Sequence, residues 1–356
     1  MTTYSLSTYV TALELSNQVA PDGSLLPLIQ GLSKRMAIFG DVHMERCNDG
    51  TGHQGTTEYY QPTGTWRAFN EGVASHAPIS YPFREPTAMM ADIFKCDRRL
   101  LLQKAGGDKA KAGALRAQMV GQFIAGMLKT VSTAMLYGTR SDGKSPLGIT
   151  ERSDYNALSS AYVHDNAGGA ASATANKTSL FVIGHGAEKY HWIYPTGFDG
   201  PPSNVVPQPG QAIQGFGLFM ESLRDDLITD VGGTNEFMAV RNWIEGAYGH
   251  CIEDARYVQR VCNISTSNID NVDDFSIDED VITDALVAIP DKERAVIYGN
   301  ATLEGQFIKR ANTKGNVWHM DKDPFGYAAV EDKVPFFGNI PFHRWDSIVD
   351  TEATVT

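Results

Sequence analysis

The residue pattern closest to known chemistry lies at 138–145, where Gly-Thr-Arg-Ser-Asp-Gly-Lys-Ser matches the phosphate-loop pattern G-x-x-x-x-G-K-[ST]. In that motif a strand leads into a loop whose backbone amides surround phosphates, and a helix follows with its positive end towards them. Here a helical pattern precedes the loop, and Pro146-Leu147-Gly148 follows it without an apolar stripe. We therefore interpret the segment as a turn after a helix. A nucleotide hydrolase is the alternative, and it requires nucleotide binding that Lys144→Ala abolishes.

Other candidate sites are weaker. In Gly184-His185-Gly186 the third glycine of a dinucleotide fingerprint is replaced by Lys189. The carboxylates between Asp270 and Asp284 lack the glycine and the spaced glutamate of a calcium-binding EF-hand loop. No G-x-S-x-G nucleophile pattern occurs in the chain. The sequence thus predicts no enzyme, no catalytic residue and no cofactor.

Metal binding on a single element is also unsupported. The histidines form no H-x-H, H-x-x-H or H-E-x-x-H spacing. His250, Cys251, Glu253 and Asp254 are close in sequence, but alternate residues of a strand face opposite sides of the sheet. We therefore expect no metal ligands among them.

Composition narrows the class of protein. A hydrophobic fraction of 42% and a charged fraction of 20% are ordinary for a globular chain. The net charge of −12 argues against a dedicated nucleic-acid-binding protein, which is usually basic. The start of the chain shows no signal-peptide pattern, and no unbroken apolar run of about 18 residues occurs. We expect no membrane partner, a cytoplasmic origin and four reduced cysteines.

Periodicity predicts mixed elements. The strongest signal is a helix over 113–137 with an apolar residue at every fourth position, a ridge that winds around the helix and favours burial against several partners. Ile79, Tyr81 and Phe83 alternate with polar residues or Pro82, which predicts an edge strand. With the stretch around Trp66 and Phe69, this strand predicts a long hairpin. Without strict alternation of strands and helices, the class is α+β.

Further elements are predicted along the rest of the chain. They are strands at 180–183, 192–194 and 295–298, a helix near 277–289 with a Ser276–Glu279 capping box, a helix carrying Leu303, Phe307 and Ile308, and a last strand pair ending near Val349.

One segment is basic within an acidic chain. Between Lys95 and Lys129 the sequence has eight basic residues against Asp97 and Asp108, which gives a net 8 − 2 = +6. A solvated helix face would explain this charge equally well. The functional hypothesis is a strip that faces DNA through weak, sequence-independent contacts. Its residues are Arg98, Arg99, Lys104, Lys109, Lys111 and Arg116.

Trp66-Arg67 with Asn70-Glu71-Gly72-Val73 is the first of several tracts that, taken in order, follow one pattern. The pattern resembles that of the major capsid protein of tailed double-stranded DNA phages of the short-tailed type, in which this first tract matches the extended-loop signature. Tyr137-Gly138 and Pro146-Leu147-Gly148-Ile149 resemble the end of its spine helix and the following loop. The later tracts are Ile193-Tyr194-Pro195-x-Gly197, Asp254-x-Arg256-Tyr257-Val258-x-Arg260 with Asn263-Ile264, and Gly338-Asn339-Ile340-Pro341 followed by Asp346 and Glu352.

The resemblance implies the Hong Kong phage-like capsid fold and a division of the chain into named parts. These are an N-terminal arm (1–54), an extended β-hairpin loop (55–94), a peripheral domain with the spine helix (95–177), a first part of the axial domain (178–200), a β-rich peripheral segment (201–265), and the axial domain with the C-terminal strand (266–356).

The implied function is self-assembly into an icosahedral shell that encloses the genome. The expected partners are copies of the chain in pentamers and hexamers, scaffolding, portal and decoration proteins, and packaged double-stranded DNA. The expected location is the virion, assembled in the cytoplasm of a bacterial host. We expect contacts between subunits through Trp66, Arg67, Phe69, Glu71, Ile79, Tyr81 and Phe83.

Two further alternatives to a phage capsid protein differ in what the purified protein would do. A nanocompartment shell of the same fold would carry enzyme cargo instead of DNA. A monomeric binding module would form no particles. Some relatives cross-link through a lysine in the extended loop, but no lysine occurs between Lys34 and Lys95, so we expect no covalent cross-links.

Overall fold

The computed structural model describes residues 36–141, 143–166, 176–198, 213–215, 217–220, 224–229, 234–266, 276–313, 318–322 and 333–356. Most of the predicted arm, the Pro/Gly-rich connection after Gly197, and the acidic loop at Asp270, Asp273 and Asp274 lie outside the described residues. The helices in the described part are α1 (Ile38–Asp41), α2 (Arg98–Lys104), α3 (Lys109–Tyr137), α4 (Glu279–Ala288) and α5 (Ala301–Thr313).

The strands in the described part range from three to seventeen residues. They are β1 (His43–Arg46), β2 (Gly52–Tyr60), β3 (Ile79–Pro86), β4 (Ala88–Asp97), β5 (Val163–Asp165), β6 (Lys177–Gly184), β7 (Tyr190–Tyr194), β8 (Ile213–Gly215), β9 (Leu218–Met220), β10 (Arg224–Thr229), β11 (Glu236–Ile252), β12 (Val258–Ser265), β13 (Ala295–Gly299), β14 (Trp318–Lys322), β15 (Lys333–Phe337) and β16 (Ile340–Arg344).

The chain divides into two compact units, and the described part of the first lies within 88–134 and 197–248. Its sheet is built on β11, which pairs antiparallel with β4, β9 and β10. The core between this sheet and α3 contains Phe94, Val240 and Ile244 from the strands, and Leu115 and Met119 from the helix. The spine helix is confirmed but begins at Lys109 instead of 113, because Asp108 Oδ1 accepts a hydrogen bond from Ala110 N at 2.8 Å and caps it.

Helix α3 is long and apolar enough to cross a membrane by length and composition alone. A core helix passes the same test, and several apolar residues of α3, including Leu115, Val131 and Met135, are buried within the protein. The helix therefore serves as a packing element, as its winding apolar ridge predicts.

The second unit comprises 35–87, 135–196 and 249–356. Its larger sheet has the strand order β14-β15-β16-β13-β6-β12-β5. Every residue of β6, β12 and β13 is buried, so these central strands are covered on both faces of the sheet. Helices α4 and α5 contribute Ile282, Leu286, Leu303 and Phe307 to the same hydrophobic cluster. The predicted last strand pair is present, but its second strand ends at Arg344 and not near Val349.

The predicted capping box of α4 is wrong in detail. Asp278 is the N-cap, and its side chain accepts a hydrogen bond from Asp280 N. Ser276 and Glu279 instead bind the guanidinium of Arg310 on α5, at 3.1 Å each. A charged partner on another helix has displaced the local capping contact, which no pattern within one helix reveals.

The hairpin also differs from the prediction in its strands. Ile79–Pro86 pairs antiparallel with Gly52–Tyr60, so Trp66 and Phe69 lie in the long connection and not in a strand. Residues 88–94, which the predicted loop included, form part of β4 and pair with β11. The predicted edge position of Pro82 is confirmed, because β2 and β3 form a two-stranded sheet in which both strands are edges.

Candidate functional site

The connection between β2 and β3 contains a turn that presents two aromatic rings to solvent. The side chains of Trp66 and Phe69 are both fully exposed, at 101%. The turn is held by its own hydrogen bonds: Arg67 Nη1 donates to Glu71 O at 2.9 Å, and Ala68 N donates to Glu71 Oε2 at 2.9 Å. Asn70 adopts φ 66°, a left-handed conformation that asparagine tolerates better than most residues. We refer to residues 66–71 as the tip turn.

The predicted contact residues of β3 divide into two groups. Ile79 and Tyr81 are exposed, and the Tyr81 ring lies 5.2 Å from that of Tyr59. Phe83 is instead partly buried against Cys47, Ile193 and Cys251 of the same chain. Its ring lies over Gly55, where an added Cβ would be 2.3 Å from Phe83 Cζ. Phe83 therefore anchors the hairpin in its own subunit.

Ion pairs fix the base of the hairpin. Arg84 Nε lies 2.6 Å from Asp49 Oδ2, and Glu85 pairs with Arg152 at 2.7 Å and with Arg140 at 3.5 Å. Arg140 belongs to the segment that imitates a phosphate loop. Sequence reasoning missed these pairs because their partners are more than 30 residues apart and carry no local pattern.

The geometry of 138–148 differs from that of a phosphate loop. It follows the C-terminal end of α3, and Gly148 N donates to Gly138 O at 2.6 Å. A Cβ at Gly148 would lie 2.4 Å from Leu136 O, so only glycine fits where the loop closes on the helix. Thr150 Oγ1 also donates to Leu136 O, at 2.8 Å. A helix C-terminus has negative partial charge, which repels a phosphate.

The predicted basic strip is only partly a surface. Arg99, Lys109 and Lys111 are exposed, Arg98 is exposed and lies 3.2 Å from Asp225, and Lys104 is half-buried. Arg116 is wrong as a DNA-facing residue, because it is buried and its guanidinium donates to Asn242 Oδ1. Burial lowers the pKa of Arg116 to about 10, which still leaves it charged at neutral pH.

The later capsid-like tracts meet in a buried polar cluster. Arg260 Nη2 lies 2.9 Å from Glu352 Oε2, and Tyr137 Oη donates to Glu352 Oε1 at 2.5 Å. Ser179 Oγ donates to the same carboxylate. Burial, together with the charge of Glu352, raises the pKa of Tyr137 well above its ordinary value. These residues position strands within the subunit and are not a reactive site.

Asn263, another residue of those tracts, has a specific backbone role. It adopts φ 60° at a bulge in β12, where asparagine is tolerated. Its side chain donates to Val355 O and accepts from Val355 N, both at 3.0 Å. The C-terminal segment is therefore held to β12 by a pair of hydrogen bonds.

The four residues weighed as metal ligands do not form a site together. His250 Nε2 contacts Leu147 O at 2.6 Å and its Nδ1 contacts Tyr190 Oη at 3.2 Å, away from Glu253. Burial lowers the pKa of His250 well below its ordinary value. Cys251 Sγ donates to Glu253 Oε1 at 3.7 Å, and burial raises its pKa.

Residues 20–356 match the family model described as "Major capsid protein GP7". The chain belongs to this capsid protein family. A search of curated proteins found no match.

Solved structures show the fold of this capsid protein. The structure of bacteriophage Epsilon15, from cryo-EM and modelling, is similar over 98% of both chains, with a TM-score of 0.68 and 24% identity. The bacteriophage JBD30 capsid matches 89% of this chain and 93% of its own, with a TM-score of 0.48 and 10% identity. The SrpI encapsulin of Synechococcus elongatus matches 67% and 90%, with a TM-score of 0.40 and 9% identity.

The capsid protein thus has the α+β Hong Kong phage-like fold. It is a structural component of the virion that assembles with copies of itself, and it is not an enzyme. The tip turn and the exposed basic residues are consequently candidate interaction surfaces.

Proposed function

We propose that the capsid protein forms an icosahedral shell of pentamers and hexamers around double-stranded DNA, and that the tip turn clasps a neighbouring subunit. The full exposure of Trp66 and Phe69 on a turn with its own hydrogen bonds is the observation that carries this proposal. Large aromatic side chains dominate interface energetics, and burying one Phe contributes about 1.5–3 kcal/mol. Because contacts between identical subunits repeat around a closed assembly, every subunit would contribute the same contact.

The hairpin suits this role because its two ends differ. Phe83, Arg84 and Glu85 tie its base to the parent subunit, whereas Ile79, Tyr81 and the tip turn remain exposed. A rigid base lets the exposed end reach a neighbour without detaching. The proposed contact residues are therefore Trp66, Arg67, Phe69, Glu71, Ile79 and Tyr81.

Trp66→Ala combined with Phe69→Ala tests the clasp. We expect folded subunits that no longer form shells, measured by sedimentation and electron microscopy. Val287→Ala is the matched control, since Val287 is an apolar side chain exposed at 69% outside the hairpin. Shell formation by the double variant at the yield of the unmodified protein would refute the clasp.

The contents of purified native shells test the container function. Nucleic acid recovered from them would support a genome container, whereas enzyme cargo would favour the nanocompartment.

We further propose that Arg99, Lys109 and Lys111, with Arg98 and Lys104, face the packaged DNA. Weak contacts to phosphates release counterions and depend on salt, as expected for a strip of exposed cations. Lys109→Glu with Lys111→Glu should reduce genome retention most strongly at low salt, because high salt already weakens the phosphate contacts of the unmodified protein. Lys292→Glu with Lys309→Glu, at exposed sites elsewhere, gives the same charge change as a control. Unchanged genome packing and particle stability in the first pair would exclude the strip.

The remaining assignments are proposals from the family resemblance. Scaffolding, portal and decoration proteins would contact the shell, and assembly would occur in the bacterial cytoplasm. The proposed parts of the chain remain arm, extended loop, peripheral domain and axial domain, with the hairpin strands now at 52–60 and 79–86. The absence of lysine from 35–94 remains a prediction against covalent cross-links, which gels of boiled, reduced particles would check.

A further inference from the structure

Three metal-ligating side chains from distant parts of the chain meet in the second unit. They are His53 on β2, His191 on β7 and Glu253 just after β11, and one ligand atom from each lies within 4.8 Å of the others. In register, His191 stands opposite His43 of β1 and Cys251 of β11. Because the three residues are more than 60 positions apart, no spacing pattern along the sequence could reveal the group.

His191 packs edge-on against the rings of His53 and His43, and its Nε2 lies 3.8 Å from Glu45 Oε2. It is completely buried, and neither Nδ1 nor Nε2 makes a hydrogen bond; Nδ1 of the buried His53 also lacks one. Leaving a buried polar atom unsatisfied costs about 1–3 kcal/mol. A buried imidazole whose nitrogens have no hydrogen-bond partner offers a lone pair that a metal ion can accept.

The spacing of His53 and Glu253 fits that of two ligands of a tetrahedral cation. His53 Nε2 lies 3.2 Å from Glu253 Oε1. Zinc–ligand bonds of about 2.0–2.2 Å separate two ligand atoms of a tetrahedron by roughly 3.3–3.5 Å. A hydrogen bond between His53 and Glu253 would explain that pair alone, but it leaves both nitrogens of His191 unsatisfied. Glu45 Oε2 lies 3.8 Å from His191 Nε2, so a second carboxylate is near.

We propose that His53, His191 and Glu253 bind a divalent transition-metal ion of the zinc class, with water or Glu45 completing the coordination. Two imidazoles and a carboxylate are a ligand set that suits Zn²⁺ and resembles neither calcium nor magnesium sites, which take oxygen ligands. The ion would tie the base of the hairpin strand β2 to β7. This site does not depend on the tip turn or on DNA.

The test uses the full-length subunit, stripped with chelator and dialysed against Zn²⁺ or Co²⁺ alone. We expect one metal ion per chain, a tetrahedral Co²⁺ absorption spectrum, and a melting temperature that rises with Zn²⁺. Loss of a residue that only hydrogen-bonds to a metal ligand weakens metal affinity by about 10–100-fold. His53→Gln and Glu253→Gln each remove a ligand, so we expect a larger loss of affinity from either one. His76→Gln and Glu58→Gln, both at exposed hairpin positions, are the matched controls and should retain the metal.

Two outcomes would overturn the proposal. One is an unmodified subunit that binds no stoichiometric metal and shows no Co²⁺ spectrum. The other is metal bound equally by the site variants and the control variants, which would place the ion elsewhere. The measurement on the unmodified protein decides the question even if a variant fails to fold, and loss of shell assembly in the tip-turn variant would not affect it.

Discussion

The hairpin and the large sheet of the second unit lie in one unit but use their side chains in opposite ways. Every residue of β6 and β12 is buried, and even the charged group of Arg260 is neutralised within the subunit. In β2 all positions from Thr56 to Tyr60 are exposed, and the tip turn exposes two complete aromatic rings. The sheet therefore buries its apolar side chains and pairs its charges within the subunit, whereas the hairpin leaves apolar side chains exposed for a partner.

This difference separates the determinants of folding from those of assembly. Changes in the sheet should lower the stability of the lone subunit, and changes at the tip turn should leave that stability intact while preventing shell formation. The free energy of unfolding of the dilute subunit and the yield of shells are thus independent measurements.

The largest loss of stability is expected from Arg260→Ala. It leaves the Glu352 carboxylate buried without its cation, which costs about 3–5 kcal/mol. Arg256→Ala is the matched control four residues earlier, where the exposed pair with Asp254 contributes less than about 1 kcal/mol. Urea denaturation of the dilute subunit measures both. Equal losses in the two variants would show that burial does not distinguish the two pairs.

Acid should destabilise the packed region next most strongly. Burial lowers the pKa of His185 to about 3 and that of His250 well below its ordinary value, so both stay neutral when folded. The unfolded chain takes up protons below pH about 6.5, and stability is therefore full above that pH and falls as the pH decreases towards the folded pKa. His185 alone contributes about 2 kcal/mol to the loss between pH 6.5 and 5, and His250 adds to it in the same direction.

Denaturation curves at several pH values check this dependence. His185→Gln should reduce its slope, whereas His76→Gln, at an exposed hairpin position, should leave the slope unchanged. A slope that is the same in both variants and in the unmodified protein would contradict the assignment to buried histidines.

Two glycines give a smaller and more local contrast. Gly148→Ala places a Cβ 2.4 Å from Leu136 O, and such overpacking typically costs about 1–3 kcal/mol. Gly72→Ala, beside the tip turn, meets nothing within 4 Å. Thermal unfolding should therefore separate the two variants, with Gly72→Ala unchanged or slightly more stable. A destabilised Gly72→Ala subunit would mean that the hairpin connection is packed in the free protein.

The smallest effect on the lone subunit is expected from Trp66→Ala with Phe69→Ala. Both side chains are already in water, so their truncation removes no buried apolar area. The melting temperature should match that of the unmodified subunit even though shells are lost. A lower melting temperature would show that the rings pack within their own chain and would weaken the comparison between the two regions.

Much of the fold was predictable because local patterns carry it. The apolar residues at every fourth position of α3 predicted the spine helix. The continuous apolar runs at 180–183 and 295–298 lie in buried strands. The strand partner of β3 was not predictable, since the Gly- and Thr-rich tract 52–60 has no apolar alternation. That strand is stabilised by backbone pairing and by the ion pairs at its base. The burial of Arg116 was equally unpredictable, because the residues around a basic position on a helix do not show which distant segments will cover it.

The sequence by itself determined the class of the protein, the spine helix and the family, since capsid-like tracts recur in the same order along the chain. Only the tertiary structure decided that Tyr137, Arg260 and Glu352 meet, that Arg140 pairs with Glu85, and that His53, His191 and Glu253 converge. The physical reason is range. Periodicity and turn chemistry act over a few neighbouring residues, whereas burial of a charge or a ligand group depends on which distant segments pack around it.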